Sequence, residues 1–301
     1  MSFIGAMRRA EADFYVLKTP WHLLPMMVLF GRCYRKKIVF WGQTTPAASG
    51  RQAARGGWFQ RLESWSVKRA DLVMAQTREQ GDYFAQDYGV QASVIPSICD
   101  ALIPDWQCKV TGSRCKSVDV LWVGNQLPNK RQEVVLELAR QTPEYQYALA
   151  LKITDRARFE QTRKAAEAVP NLLMLGEVAH VEMEKWFKQT RVFLSTSGRE
   201  GFPNTFLQAW MNGVPVVSLG VDPDGLIQER LLGRVAYPGC ATEPAADPVK
   251  LAASLVGILR EILENEQLRL TMGENGRRYV KDNHAPERVV PALVEALARV
   301  Q

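Results

Sequence analysis

From about residue 118 the chain alternates short apolar runs with stretches of helical spacing. Residues 118–123 read VDVLWV, rich in β-branched side chains and ended by Gly124. Helical spacing over 131–141 leads to a strand-like run at 145–151. A polar helix over 154–169 stops at Pro170, and a further short strand at 172–175 ends at Gly176. A helix at 180–189, a strand at 192–195, a helix at 204–211 and a strand at 214–219 complete the series. Asn212-Gly213 supplies a left-handed stop before the last strand. Short, mostly apolar strands separated by helices imply a parallel sheet covered on both faces, the doubly wound Rossmann-like arrangement.

The front of the chain alternates too, over a shorter length. Strands are expected at 13–17, 37–41, 71–76 and 92–95, with helices at 21–34, 58–69 and 78–88. Between 97 and 117 the pattern dissolves into Pro, Gly, Ser and Cys, and a domain boundary is expected near Trp106. Helices at 248–264, 267–283 and 286–300 close the chain. The expected organisation is a first domain over 1–107, a second over 108–283, and a final helix over 284–301 that packs back toward the first.

Composition narrows the class. Hydrophobic residues make up 47% and charged residues 23% of the 301, the balance of a soluble globular protein. No apolar run approaches the roughly 20 residues that span a bilayer, and the N-terminal MSFIGAMRRAEAD lacks a secretory core. Five cysteines without any C-x-x-C pair argue for reduced thiols in the cytosol rather than disulfides or a zinc site. The net charge of +6 is uneven: residues 1–70 carry twelve Lys and Arg against three acids, leaving the remainder net negative. A basic front end implies an anionic partner there or a solvated basic face. No nucleic-acid module accompanies it. Arg51, Arg55, Arg61, Lys68 and Arg69, interleaved with Trp58, Phe59 and Trp65, favour an anionic membrane surface as that partner.

Ligands of open parallel sheets bind beyond the carboxyl ends of the strands, and two loops there carry unusual residues. Gly124-Asn125-Gln126-Leu127-Pro128-Asn129-Lys130-Arg131 puts a glycine, free amides and two cations at a helix start. Amides and dipole favour an anion at that position. Cations oppose the dipole, so local stability does not explain them; the other reading is two solvated cations beside an ordinary turn. In the second loop Glu200 lies between Gly198 and Gly201, and Phe202 precedes Pro203 at a helix start, where its missing N–H costs nothing. The amides of Asn204 and Thr205 would face a ligand above the sheet. Glu200 and Gln208 could face the same cleft, or act as a dipole partner and a surface residue.

These segments resemble the donor-binding domain of glycosyltransferase family 4, whose E-x7-E signature takes the form E-G-F/L-x-x-x-x-L-E-A followed by G-x-P-V-V. Here it stands as EGFPNTFLQAWMNGVPVVS from Glu200 to Ser218. The family's G-R-L-x-x-x-K loop stands as GNQLPNK from Gly124 to Lys130. Asn171 to Gly176 and Ala75 to Thr77 also fit, so the likeness runs over about 68–283. The resemblance implies the GT-B fold: two Rossmann-like doubly wound α/β domains facing across a cleft, with the N-terminal one truncated. It implies a retaining transferase moving a sugar from a nucleoside diphosphate-sugar to a glycan or lipid-linked acceptor, in a setting such as surface polysaccharide assembly. A peripheral position at the inner face of the membrane goes with that role. No metal and no cofactor is expected beyond the donor.

By the same resemblance Lys130 neutralises the donor diphosphate and Glu200 contacts the transferred sugar. The backbone of Gly201, Phe202, Pro203, Asn204 and Thr205 cradles phosphate. Gln208 stands where the family has a ribose-gripping glutamate. Asn125 replaces the family's arginine, leaving Arg131 to help Lys130, and Gln43 falls where many relatives have an active-site histidine. A non-catalytic sugar-nucleotide-binding subunit is the alternative. About half of the usual front domain is absent, so the strand at 13–17 is expected to expose an apolar edge that recruits a second copy or a separate partner chain.

Overall fold

The computed structural model describes residues 3–18, 21–43, 57–99, 117–237 and 247–300. In chain order the front elements are α1 (Phe3–Ala10), β1 (Phe14–Lys18), α2 (Leu24–Tyr34), β2 (Lys37–Gly42), α3 (Gly57–Val67), β3 (Leu72–Ala75), α4 (Arg78–Tyr88) and β4 (Ser93–Val94). Then come β5 (Val118–Asn125), α5 (Gln132–Gln141), β6 (Tyr147–Lys152), α6 (Arg156–Glu167), β7 (Leu172–Gly176), α7 (His180–Gln189) and β8 (Thr190–Ser195). The remainder holds α8 (Asn204–Met211), β9 (Val216–Ser218), α9 (Leu226–Glu229), β10 (Gly233–Val235), α10 (Pro248–Glu264), α11 (Glu266–His284) and α12 (Pro286–Ala298). Two compact units result. The first comprises Met1–Ile98, Glu200–Phe202 and Asn283–Gln301; the second comprises Cys99–Arg199 and Pro203–Asp282. The linker around Trp106, Cys108, Cys115, Cys240, Arg51 and Arg55 lie outside the described residues.

The first unit is built on a parallel sheet in the order β1-β2-β3-β4. Side chains alternate across a strand, and β2 shows the result plainly. Ile38 and Phe40 join the core with Leu24, Met27, Val28 and Phe30 of α2 and Phe84 of α4. Trp21, in a 3-10 turn before α2, stands edge-on to Phe40 with ring centroids 4.7 Å apart. Val39 and Trp41 point the other way, where Leu72, Met74 and Ile95 meet Val289 and Ala296 of α12. Val289, Leu293, Ala296 and Val300 recur at helical spacing, so one apolar stripe of α12 covers that face. Among the described residues β1 pairs only with β2, and its Val16 is exposed.

The sheet of the second unit runs β10-β9-β8-β5-β6-β7, all parallel among the described residues. Val120, Trp122, Leu149, Leu151, Val192 and Leu194 line one face against Val134, Val135 and Leu138 of α5 and Leu255, Leu259 and Ile262 of α10. Each such Leu or Val side chain withdrawn from water contributes roughly 1.5–3 kcal/mol. α8 ends where Gly213 takes φ 66°, a conformation glycine adopts without the steric penalty of a side chain. The sequence pattern does not announce α1 or β10. The first is a short helix anchored by Met7, whose carbonyl accepts from the Tyr15 hydroxyl at 2.7 Å. The second has only three residues, Gly-Arg-Val, too few for any periodicity.

Asn171 explains part of the motif read before β7. Its buried Nδ2 donates toward the carbonyls of Ala139, Thr142 and Tyr145 at 3.0, 3.2 and 2.8 Å, tying the end of α5 to the approach of β6. Alanine at 171 leaves buried carbonyls without this donor, so Asn171→Ala is expected to destabilise the protein by about 1–3 kcal/mol. Urea unfolding of parent and variant checks it; an unchanged midpoint and slope would show the clamp is not needed.

Candidate functional site

In the second unit β5 is followed by β6 on one side, then β7, before the chain returns to place β8 on the other side of β5. The order therefore reverses between β5 and β8, and their carboxyl-end loops flank the crevice where open α/β sheets take ligands. These are the two loops singled out in the sequence. Gly124 and Asn125 are the last residues of β5, so the loop proper starts at Gln126. Trp122 closes over Gly124: a Cβ there would stand 2.5 Å from the indole ring. Asn125 Oδ1 accepts from Leu127 N at 3.2 Å and starts the turn. A 3-10 turn over Pro128–Lys130 follows, and Arg131 takes a left-handed conformation (φ 49°, ψ 53°) at the start of α5.

A buried relay fixes Lys130. The Trp122 indole donates to Thr196 Oγ1 at 2.9 Å, and that hydroxyl donates to the Lys130 carbonyl at 2.6 Å. Gly198 N donates to Asn129 O at 3.0 Å, and Asn129 Nδ2 donates to Arg199 O at 3.3 Å. The Arg131 side chain runs beneath Gly198, where a Cβ would meet the guanidinium at 3.0 Å. Arg131 is therefore buried, not solvated as a surface cation would be. Burial lowers its pKa first of all; Glu133 opposes that shift and Arg199 adds to it. Arg131 and Arg199 thus stand close enough to repel, beside Lys130, in a loop pair that gathers positive charge. Arg199 was not singled out in the sequence; its signal was only its place before Glu200.

Gln126 is a buried brace. Its Oε1 accepts from Thr154 N at 2.6 Å and Asp155 N at 2.7 Å, holding the loop after β6. Beyond β8, Pro203 caps α8 in an extended conformation with no side-chain hydrogen bond to the helix, and α5 likewise has no side-chain cap. Asn204 is exposed and Thr205 half-buried in the first turn of α8, where backbone amides favour an anion. Gln208, one turn on, donates from Nε2 to His180 Nδ1 at 3.3 Å. His180 opens α7 and is thus a partner of Gln208, a link that spacing alone did not reveal. Glu200, Gly201 and Phe202 group with the first unit, with Glu200 half-buried and Phe202 buried.

Comparison with known proteins bears on this crevice. The family model described as glycosyl transferases group 1 matches residues 107–279. No curated protein matches the chain by sequence. Among solved structures it is similar to sucrose-phosphate synthase from Thermosynechococcus elongatus, with TM-score 0.76 and 16% identity over 99% of this chain and 77% of that one. Anabaena HepE in complex with UDP gives TM-score 0.76 and 16% identity, over 98% of this chain and 82% of that one. The pneumococcal O-GlcNAc transferase GtfA in complex with UDP and GlcNAc gives 0.71 and 12%, over 99% of this chain and 59% of that one. At these identities the likeness establishes the fold, GT-B, here with a smaller first sheet. With the family model spanning more than half of its length, the chain belongs to the glycosyl transferases group 1 family of retaining, nucleotide-sugar-dependent glycosyltransferases.

Proposed function

We propose that the crevice between the β5 and β8 loops binds the diphosphate of a nucleoside diphosphate-sugar, and that the chain passes the sugar to a glycan or lipid-linked acceptor. The observation that carries this reading is the gathering of Lys130, Arg131 and Arg199 in the loops after β5 and β8, the second of which leads into α8, uncapped by any side chain, at the point where strand order reverses. Lys130 meets the diphosphate oxygens, and its charge counts most as the leaving group departs. The amides of Asn204 and Thr205 take the second share of phosphate charge. Glu200 accepts hydrogen bonds from hydroxyls of the transferred sugar and stabilises positive charge at its anomeric carbon. In the transfer the bond from that carbon to the phosphate oxygen breaks and a bond to the acceptor oxygen forms. The acceptor proton ends on the departing diphosphate. Gln208, which meets His180, grips the ribose in this reading, since its amide both donates and accepts.

UDP is the nucleotide to try first, since HepE and GtfA are described with it. Lys130→Ala is expected to weaken UDP binding about ten- to a hundred-fold through loss of a charge-assisted hydrogen bond. Glu200→Gln is expected to leave UDP affinity near the parent's while cutting UDP release from UDP-glucose or UDP-N-acetylglucosamine. Calorimetry and a coupled UDP assay separate the two. Parent-like binding and turnover in both variants would remove the assignment, and UDP binding without turnover of any donor would favour a non-catalytic binding subunit.

The acceptor reading rests on the first unit's surface. Among the described residues no helix is long and apolar enough to cross a membrane. Aromatic and cationic side chains nevertheless interleave there. Arg32 and Arg69 lie 5.8 and 5.1 Å from the Trp65 ring, and Arg8 lies 5.3 Å from that of Tyr34. Phe3, Ile4, Leu29 and Trp58 are exposed, the last by 71%. Aromatics suit the headgroup region, and each cation near an anionic leaflet adds about 1 kcal/mol. The protein is accordingly expected to float with phosphatidylglycerol-rich vesicles, to lose them at high salt, and to bind less after Trp58→Ala with Arg69→Ala. Equal recovery with neutral phosphatidylcholine vesicles would rule the surface out.

A further inference from the structure

The Glu200–Phe202 segment is gripped by the loops beyond the carboxyl ends of β2, β3 and β4. On one side stands Gln80, whose Oε1 accepts from Gln76 N at 2.8 Å and whose Nε2 donates to Gln43 O at 3.1 Å. Gly201 lies flush against that pair. A Cβ there would come 1.9 Å from Gln43 O and 2.7 Å from Gln80 Nε2, and the backbone oxygen has nowhere to move while Gln80 holds it. On the other side the buried Phe202 ring meets the ring of His284, centroids 5.1 Å apart at 44°. His284 is 1% exposed, with Nδ1 2.8 Å from Ser97 O. A carbonyl only accepts, so Nδ1 carries the proton and donates. Gln76 links the sides: its side chain donates to Ser97 Oγ at 2.5 Å while its backbone N–H is held by Gln80.

Packing against Phe202 alone would be served by Leu or Phe at 284, at no desolvation cost. What only a hydrogen-bonding ring supplies is the simultaneous hold on Ser97 O and Phe202. We infer that His284 is a positioning residue for Glu200: by clamping Phe202 to the loop after β4 it fixes where the adjoining carboxylate stands. Burial lowers the His284 pKa, with the Ser97 carbonyl opposing, which suits a neutral donor. The inference rests on the reading that Glu200 meets the transferred sugar, and its first test does not.

That test is hydrogen–deuterium exchange of the full chain, comparing the peptide over 198–206 with one over 118–125. His284→Leu is expected to speed exchange of the first by about tenfold, as for loss of a buried hydrogen bond, and to leave the second alone. His284→Asn, which returns a donor near the Nδ1 position, is expected to recover much of the protection. UDP affinity stays within about twofold of the parent's, while the rate of UDP release from UDP-glucose or UDP-N-acetylglucosamine at saturation falls about tenfold. If His284→Leu does not fold, His284→Phe, which keeps a ring against Phe202 but has no donor for Ser97 O, takes its place with the same expected exchange. Unchanged exchange over 198–206 in a folded variant overturns the inference. A parent chain that binds no UDP refutes the donor-site reading instead, and the exchange comparison still decides this one.

Discussion

The hydrogen-bonded relay from Trp122 through Thr196 to the Lys130 carbonyl is the constraint from which the crevice takes its shape. It joins Trp122 in β5 and Thr196, the residue just after β8, to the loop that carries the cation, so the Lys130 backbone is tied to the sheet. Buried donors and acceptors in a low-dielectric interior are costly when unpaired, and each member of this relay is paired. Arg131 beneath Gly198 and Asn129 against Gly198 and Arg199 close the two loops on one another. Arg199 and Arg131 repel one another across this loop pair, and the relay and backbone bonds tie the two loops together. Preorganised charge of this kind needs no rearrangement at the moment a leaving group develops negative charge.

Burial of the Arg131 side chain modifies the role expected for it. A guanidinium packed under a glycine in the next loop contributes its field to the crevice while its position is set by the fold. Lys130, half-buried at the end of a short turn, carries its charge as a compact ammonium on a four-carbon stem rather than as a planar fork. The two adjacent cations thus differ in kind. The placement of Glu200–Phe202 in the first unit divides the signature motif as well. The amides of its second half belong to one compact unit and its acid to the other.

Much of the second unit was legible because its strands are short, apolar and separated by clear helices. The crevice was legible because glycine, proline and charged residues interrupt that pattern at strand ends. Strand limits shifted by a residue or two: β5 runs through Gly124 and Asn125, which looked like loop because a glycine follows VLWV. β4 shrank to Ser93–Val94 and β9 to Val216–Ser218, since few partners continue the ladder there. What sequence could not give was long-range side-chain pairing. Gln126 bracing 154–155, His180 against Gln208 and His284 against Ser97 join residues 28 to 187 positions apart, and no local period encodes such contacts.

The packing of α12 on the first sheet also sets a timetable for synthesis. Val39, Trp41, Leu72 and Met74 form an apolar face whose covering residues, Val289 and Ala296, are translated about 190 residues after Ile95. At roughly 5–20 residues per second a ribosome needs on the order of 10–40 s to cover that distance. Throughout that interval the nascent sheet carries an open hydrophobic side, and the second unit emerges and can collapse around its own core first. The front of this protein is therefore made early and finished late.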